Sequence, residues 1–198
     1  MIGVDVVDLA DPSIGTQHMD PRFLSRLLTQ AEADRLESAE AAVRGRLLWT
    51  LWAAKEAAFK AARLDGYAGP FVRADFIVGV DADAGVESPS GAYQLRFHGD
   101  AHQVHAIVWR GPVDPVAGTL RLEDPVPDHR SQEGRAILSL AARKLAISEL
   151  SGLLDGGLSI SDPEPDSSAV LLLEGQASGI PISLSHHGGC VAYAALVG

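Results

Sequence analysis

Apolar and polar positions alternate over Ile2-Gly-Val-Asp-Val-Val-Asp8 until Asp11-Pro12 breaks the run, which predicts a short opening strand. From Met19 to Ala42 the apolar spacing turns helical, with Phe23, Leu24, Leu27, Leu28, Ala31 and Leu36 on one stripe. Asp20-Pro21 offers an N-cap and a first-turn proline, and Thr29-Gln-Ala-Glu32 spells a capping box, so a second helix is expected to start at Thr29. The strongest helical pattern runs from Arg46 to Arg63 and stops near Gly66. Beyond it the texture becomes β-branched and aromatic. Phe71–Val80, Tyr93–His98 and Val104–Arg110 predict three antiparallel strands, and Gly111–Gly118 reads as a linker. The order then recurs: a strand candidate at Thr119–Leu122, a helix over Asp128–Leu154, and strand candidates at Leu158–Ser161, Ala169–Glu174, Ile182–Ser185 and Cys190–Val197. The recurrence predicts an α+β fold of two similar modules, residues 1–112 and 118–198, each an antiparallel sheet packed on helices, related as a pseudodimer by a diverged duplication.

Composition narrows the function classes. The 198 residues carry 16 Lys and Arg against 26 Asp and Glu, a net charge of −10, split evenly between the halves. Neither half is basic and no Lys/Arg-rich tail is present, which argues against a nucleic-acid partner held by phosphate contacts. The single cysteine, Cys190, excludes an internal disulfide framework and suits a reducing cytoplasm. Asp5 and Asp8 without a basic flank argue against a signal peptide. The stretch after Glu174 has no charged side chain and is long enough to span a bilayer, but its prolines, serines, histidines and glycines read as buried strands around a polar turn.

Three segments hold candidate chemistry. Asp5 shares a strand face with Gly3 and Val7, and a carboxylate there is costly to bury unless it is paired or bound to a metal; an ordinary strand-end aspartate is the competing reading. Trp49, Trp52, Glu56 and Lys60 fall on one helical face, which places Glu56 either in a surface pair with Lys60 or in a cleft. Ser183-Leu-Ser185-His186-His187-Gly188-Gly189 sets hydroxyls, imidazoles and glycine N–H groups together, which suits a phosphate or a plain hairpin tip. No G-x-S-x-G elbow supports a Ser–His hydrolase, and no zinc-type spacing is present.

Taken together and in order, Gly3-Val-Asp5-Val-Val-Asp8, Arg22-Phe-Leu-Ser-Arg26-Leu-Leu-Thr29-Gln-Ala-Glu32, Trp52-Ala-Ala-Lys55-Glu56-Ala-Ala-Phe-Lys60 and Ser183-Leu-Ser-His186 resemble the 4′-phosphopantetheinyl transferase superfamily. The order is similar to the small holo-acyl-carrier-protein synthase type, whereas Trp-x-x-Lys-Glu leans toward the larger, fused type. The resemblance implies transfer of 4′-phosphopantetheine from coenzyme A to a serine of an apo acyl or peptidyl carrier protein, with Mg²⁺. It implies metal positions at Asp5, Glu56 and Asp8, a proton acceptor at Glu56, and charge neutralisation by Lys60. It implies coenzyme contacts from Ser185, His186, Gly179, Pro181, Lys55, Arg130 and Arg143, and carrier docking by Arg22 and Arg26. His129 and Arg135 belong to the same early-helix resemblance.

Departures from the family pattern are equally legible. The metal motifs precede the Ser-His motif, so two fused halves stand in swapped order, and a site built within one chain implies a monomer. Val7 stands where the larger type usually has an acid, and Gly179-Ile180-Pro181 lacks the common lysine. The alternative is a non-catalytic relative that binds coenzyme A or a carrier protein; a third reading is an unrelated α+β enzyme with a Ser–His site.

Overall fold

The computed structural model describes residues 1–15, 20–79, 85–124, 126, 128–161 and 169–198. Strand β1 (Ile2–Asp8) opens the chain. The early helical stretch forms two helices, α1 (Pro21–Leu27) and α2 (Gln30–Ser38), the second starting after Thr29 as its capping box predicts, while Met19 lies outside the described residues. Thr29 makes the break, because its hydroxyl accepts from Glu32 N–H while the Glu32 carboxylate accepts from Thr29 N–H. Helix α3 spans Ala41–Leu64, five residues more at its start than its apolar pattern announced.

Strands β2 (Ile77–Val78), β3 (Gly85–Ser88), β4 (Gly91–Gly99) and β5 (Gln103–Trp109) follow, then β6 (Val116–Arg121), α4 (Gln132–Leu150), β7 (Leu158–Ile160), β8 (Leu171–Leu173), β9 (Gln176–Ala177), β10 (Ile182–His187) and β11 (Cys190–Ala195). Two corrections concern this region. The Phe71–Val80 run yields only two strand residues within the described chain, which leaves out Val80, because Phe71 stacks on Phe59 and Arg73–Asp75 form a 3-10 turn. The end of the expected linker, from Val116, is already strand paired to β11.

One sheet has the order β1-β5-β4-β3-β2, a second β10-β11-β6, and a small third β7-β8-β9. The architecture is α+β and the described strand pairings are antiparallel. Alternation sorts β1 between two cores. Val4 and Val6 join Ile107, Trp109, Cys190 and Ala192 between the two larger sheets. Gly3, Asp5 and Val7 point the other way, toward α3. A side chain at position 3 would meet the Ala57 carbonyl oxygen at 1.9 Å, so glycine lets α3 lie directly on β1 and bring its functional face to Asp5. Helix α4 covers the opposite side, packing Ala146 and Leu150 on Tyr193 and Ala195 of β11. No helix among the described residues is long and apolar enough to cross a membrane, in keeping with the reading of the uncharged C-terminal stretch as strands.

His105 on β5 is 2% exposed, and burial beside His98 pushes its pKa down to about 3 from 6.5. It stays neutral in the fold but takes up a proton in the unfolded chain below about pH 6.5. Its contribution to stability is therefore present above that pH and lost as pH falls from about 6.5 toward 3, at up to about 1.4 kcal/mol per pH unit. Urea titrations between pH 4 and 7 are expected to show this slope, and His105→Leu to flatten it.

Candidate active site

The edge of β1 not paired with β5 is satisfied by side chains. Val4 N–H donates to Ser183 Oγ at 3.1 Å, Val6 N–H to Ser185 Oγ at 3.4 Å, and Asp8 N–H to His187 Nδ1 at 3.3 Å. The constant offset shows β10 running alongside β1 in the same direction, its alternate polar side chains standing in for a backbone ladder. This seam joins the two ends of the chain and brings Ser185 to Asp5.

Ser185 Oγ donates to Asp5 Oδ1 at 2.7 Å. Lys60 Nζ, from α3, donates to Asp5 Oδ1 at 2.9 Å, to Val4 O at 2.8 Å and to Ser185 Oγ at 3.1 Å. All three ammonium protons are thus engaged on the seam. Asp5 is 9% exposed, and this ion pair and hydroxyl offset the cost of burying it.

Glu56 sits one helical turn before Lys60. Burial first, then repulsion from Asp5, raises its pKa, against the lowering pull of Lys60 and Arg73. Arg73 Nη2 lies 3.4 Å from Glu56 Oε1, with its guanidinium 4.4 Å from the Trp52 ring centre and 4.7 Å from that of Phe71. Sequence reading missed Arg73. It lies in a 3-10 turn after a Gly-Pro loop, and no periodicity links it to Glu56.

Beside this network opens a cleft of about 580 Å³ between α3, α4 and β10, with Lys60, Arg63, Ser139, Arg143, Ser183 and His186 among its lining. Burial and the Lys60 cation lower the His186 pKa, so its imidazole is neutral at pH 7 and can donate a hydrogen bond to an anion. Arg143 is 9% exposed and donates to Ser139 Oγ, one turn away on α4.

Other expected residues stand elsewhere. Lys55 is fully buried, paired with Glu32 at 2.8 Å and donating to the Arg73 and Phe76 carbonyls, so it fastens α3 to α2 and the following loop instead of reaching the cleft. Asp8 does not join Asp5. It pairs with Arg121 at 2.9 Å and accepts from Ala10 N–H and Gly189 N–H, at 3.0 Å each. The glycine turn, which suited either a phosphate or a plain hairpin tip, serves Asp8 through the Gly189 N–H. Gly179, Pro181 and the exposed Arg130 lie outside the cleft lining.

Arg22 and Arg26 are exposed on α1, and Phe23 between them stacks on Trp52 at 5.6 Å. Arg26 shares a small hollow with Trp52 and Arg73, which places that helix beside Glu56. Asp5 and Glu56 offer two hard carboxylates whose mutual repulsion is relieved here by Lys60 and Arg73, a donor set suited to a hard divalent cation. Among the described residues no group of three or more metal-binding side chains converges, so phosphate or water would have to complete any Mg²⁺ shell.

The family model for the 4′-phosphopantetheinyl transferase superfamily matches residues 1–120. The chain belongs to this superfamily. Asp5, Glu56 and Lys60 of the transferase lie inside the matched span, whereas Arg143, Ser185 and His186 lie beyond it and reach the same place only through the seam. A search of curated proteins finds no match.

Ser185→Ala removes the hydroxyl bound to Asp5 and leaves the Val6 N–H without its acceptor. An expected loss of about 1–3 kcal/mol follows, read from urea or thermal unfolding, with little change for the exposed Arg130→Ala.

Proposed function

We propose that the chain is a Mg²⁺-dependent transferase that moves 4′-phosphopantetheine from coenzyme A to a serine of an apo acyl or peptidyl carrier protein, the holo-acyl-carrier-protein synthase reaction. The observation carrying this reading is the meeting of Asp5, Glu56 and Lys60 with Ser185 and His186 beside a cationic cleft. The carrier serine Oγ attacks the phosphorus that bears pantetheine. A new Ser O–P bond forms as the P–O bond to the adenosine-bearing phosphate breaks, releasing adenosine 3′,5′-bisphosphate. Glu56 accepts the serine proton, a role its raised pKa suits because a more basic carboxylate is the stronger acceptor. Asp5 and Glu56 would hold Mg²⁺, which when bound supplies positive charge against the diphosphate. His186 and Ser183 orient the phosphates from β10, and Arg143 does so from α4. Arg22 and Arg26 supply a local basic face for an acidic carrier on an otherwise acidic protein.

The site is proposed to form within one cytoplasmic chain from two modules, residues 1–112 and 118–198. Supporting this, β1-β5-β4 under α3 and β6-β11-β10 under α4 have the same strand order and helix placement.

The test incubates the protein with Mg²⁺, coenzyme A and several apo carriers and weighs each carrier by mass spectrometry. One carrier is expected to gain a single phosphopantetheine, and Glu56→Ala to reduce the rate at least about 100-fold, as for loss of a general base. Coenzyme binding with no mass gain on any carrier would instead indicate a non-catalytic relative. Light scattering is expected to give the mass of one chain.

A further inference from the structure

Under the proposed reaction the Glu56 carboxylate must face a cation and also take a proton, so what holds it matters. Helical spacing offers Lys60, four residues on. The three donors of Lys60 are engaged elsewhere, by Asp5, the Val4 carbonyl and Ser185. Among the described residues the one hydrogen-bond partner of the Glu56 carboxylate is Arg73, whose Nη2 donates to Oε1 at 3.4 Å. That contact uses one oxygen. Oε2 has no hydrogen-bond partner among the described residues.

A partly exposed ion pair of this length ordinarily adds little, because ordering two long side chains offsets the attraction. Arg73 is ordered beforehand. Its guanidinium carbon lies 4.4 Å from the Trp52 ring centre and 4.7 Å from that of Phe71, so two aromatic rings hold the cation by packing and by cation–π attraction. Its carbonyl accepts from Lys55 Nζ at 3.2 Å, and Lys55 is itself fully buried against Glu32, which fastens the main chain of the 3-10 turn. Trp52 precedes Glu56 by one turn on α3, so the ring and the carboxylate lie on one helical face. A guanidinium suits this mount and an ammonium does not, because only the planar group can stack on a ring and donate along its edge at once.

We propose that Arg73 is a positioning residue: mounted against Trp52 and Phe71, it holds Glu56 by Oε1 so that Oε2 is presented to the incoming carrier serine. The inference rests on the transferase reading above and adds to it the group that orients the proton acceptor.

Steady-state transfer by the full-length protein, followed by carrier mass, tests the assignment. Arg73→Ala is expected to lower kcat on the order of 10- to 100-fold, as a misplaced reacting group does, and to leave KM for coenzyme A and for the carrier within about twofold. Millimolar guanidinium ion, far below denaturing concentrations, is expected to return about tenfold of the lost rate by occupying the emptied place beside the two rings. Arg73→Lys should stay near the alanine rate with KM unchanged, and it carries the test should the alanine variant fold poorly by circular dichroism. A raised KM for the carrier with kcat preserved would make Arg73 a docking cation and overturn the assignment. So would a lysine variant at the unaltered rate, or a folded alanine variant that guanidinium does not revive. No transfer by the unaltered protein to any carrier would sink the transferase reading itself, and this inference with it.

Discussion

The structure depends on how the free edge of β1 is satisfied. A strand buried on both faces cannot leave its N–H groups unpaired, and among the described residues no ladder partner lies on that side. Ser183, Ser185 and His187 supply the acceptors instead. A ladder partner would have its amides pointing at β1. Side-chain acceptors leave room for hydroxyls and imidazoles between the strands, so the contact that closes the fold also carries the polar groups of the site. The seam is thus structural and, under the proposed function, part of the site as well. It places residues 179 positions apart within hydrogen-bonding distance, and the cleft opens along its flank.

Burial of charge is managed by separating three carboxylates that the sequence sets close together or in one motif. Asp5 takes Lys60 and Ser185, Asp8 takes Arg121 and the Gly189 amide, and Glu56 takes Arg73. Asp5 and Glu56 still feel each other through the apolar interior, which is the condition under which a hard cation gains most from binding. Asp8 has its own counter-ion and lies outside that pairing. Arg73 is held over Trp52 and Phe71, so the aromatic strip that receives α1 also positions the cation facing Glu56.

Much of this was legible along the chain. The capping box at Thr29 placed a helix start because both partners lie within four residues. The period-two pattern put Asp5 on the face of Gly3 and Val7, and that face meets α3 because a glycine permits contact with the Ala57 carbonyl. The helical spacing of Glu56 and Lys60 set them one turn apart on the side facing Asp5. Lys55 was misread because a lysine next to a glutamate gives no sign of which way it points. Its own helical phase turns it into the core toward Glu32. The His-Gly-Gly turn had two readings, a phosphate site or a plain hairpin tip, because glycine N–H groups suit any anion; here the Gly189 N–H meets Asp8.

What the sequence by itself determined was local. Strand and helix identities, the face on which each candidate side chain lies, the acidic balance and the motifs of a 4′-phosphopantetheinyl transferase all follow from spacing and residue type. What only the tertiary structure decided was which of those faces meet. Hydrogen-bonding capacity is written in each residue, but partners such as Val6 and Ser185, Glu56 and Arg73, or Asp8 and Arg121 are chosen by packing across long loops. That choice follows from satisfying the free strand amides of β1 and the buried carboxylates together, a condition no stretch of sequence meets on its own.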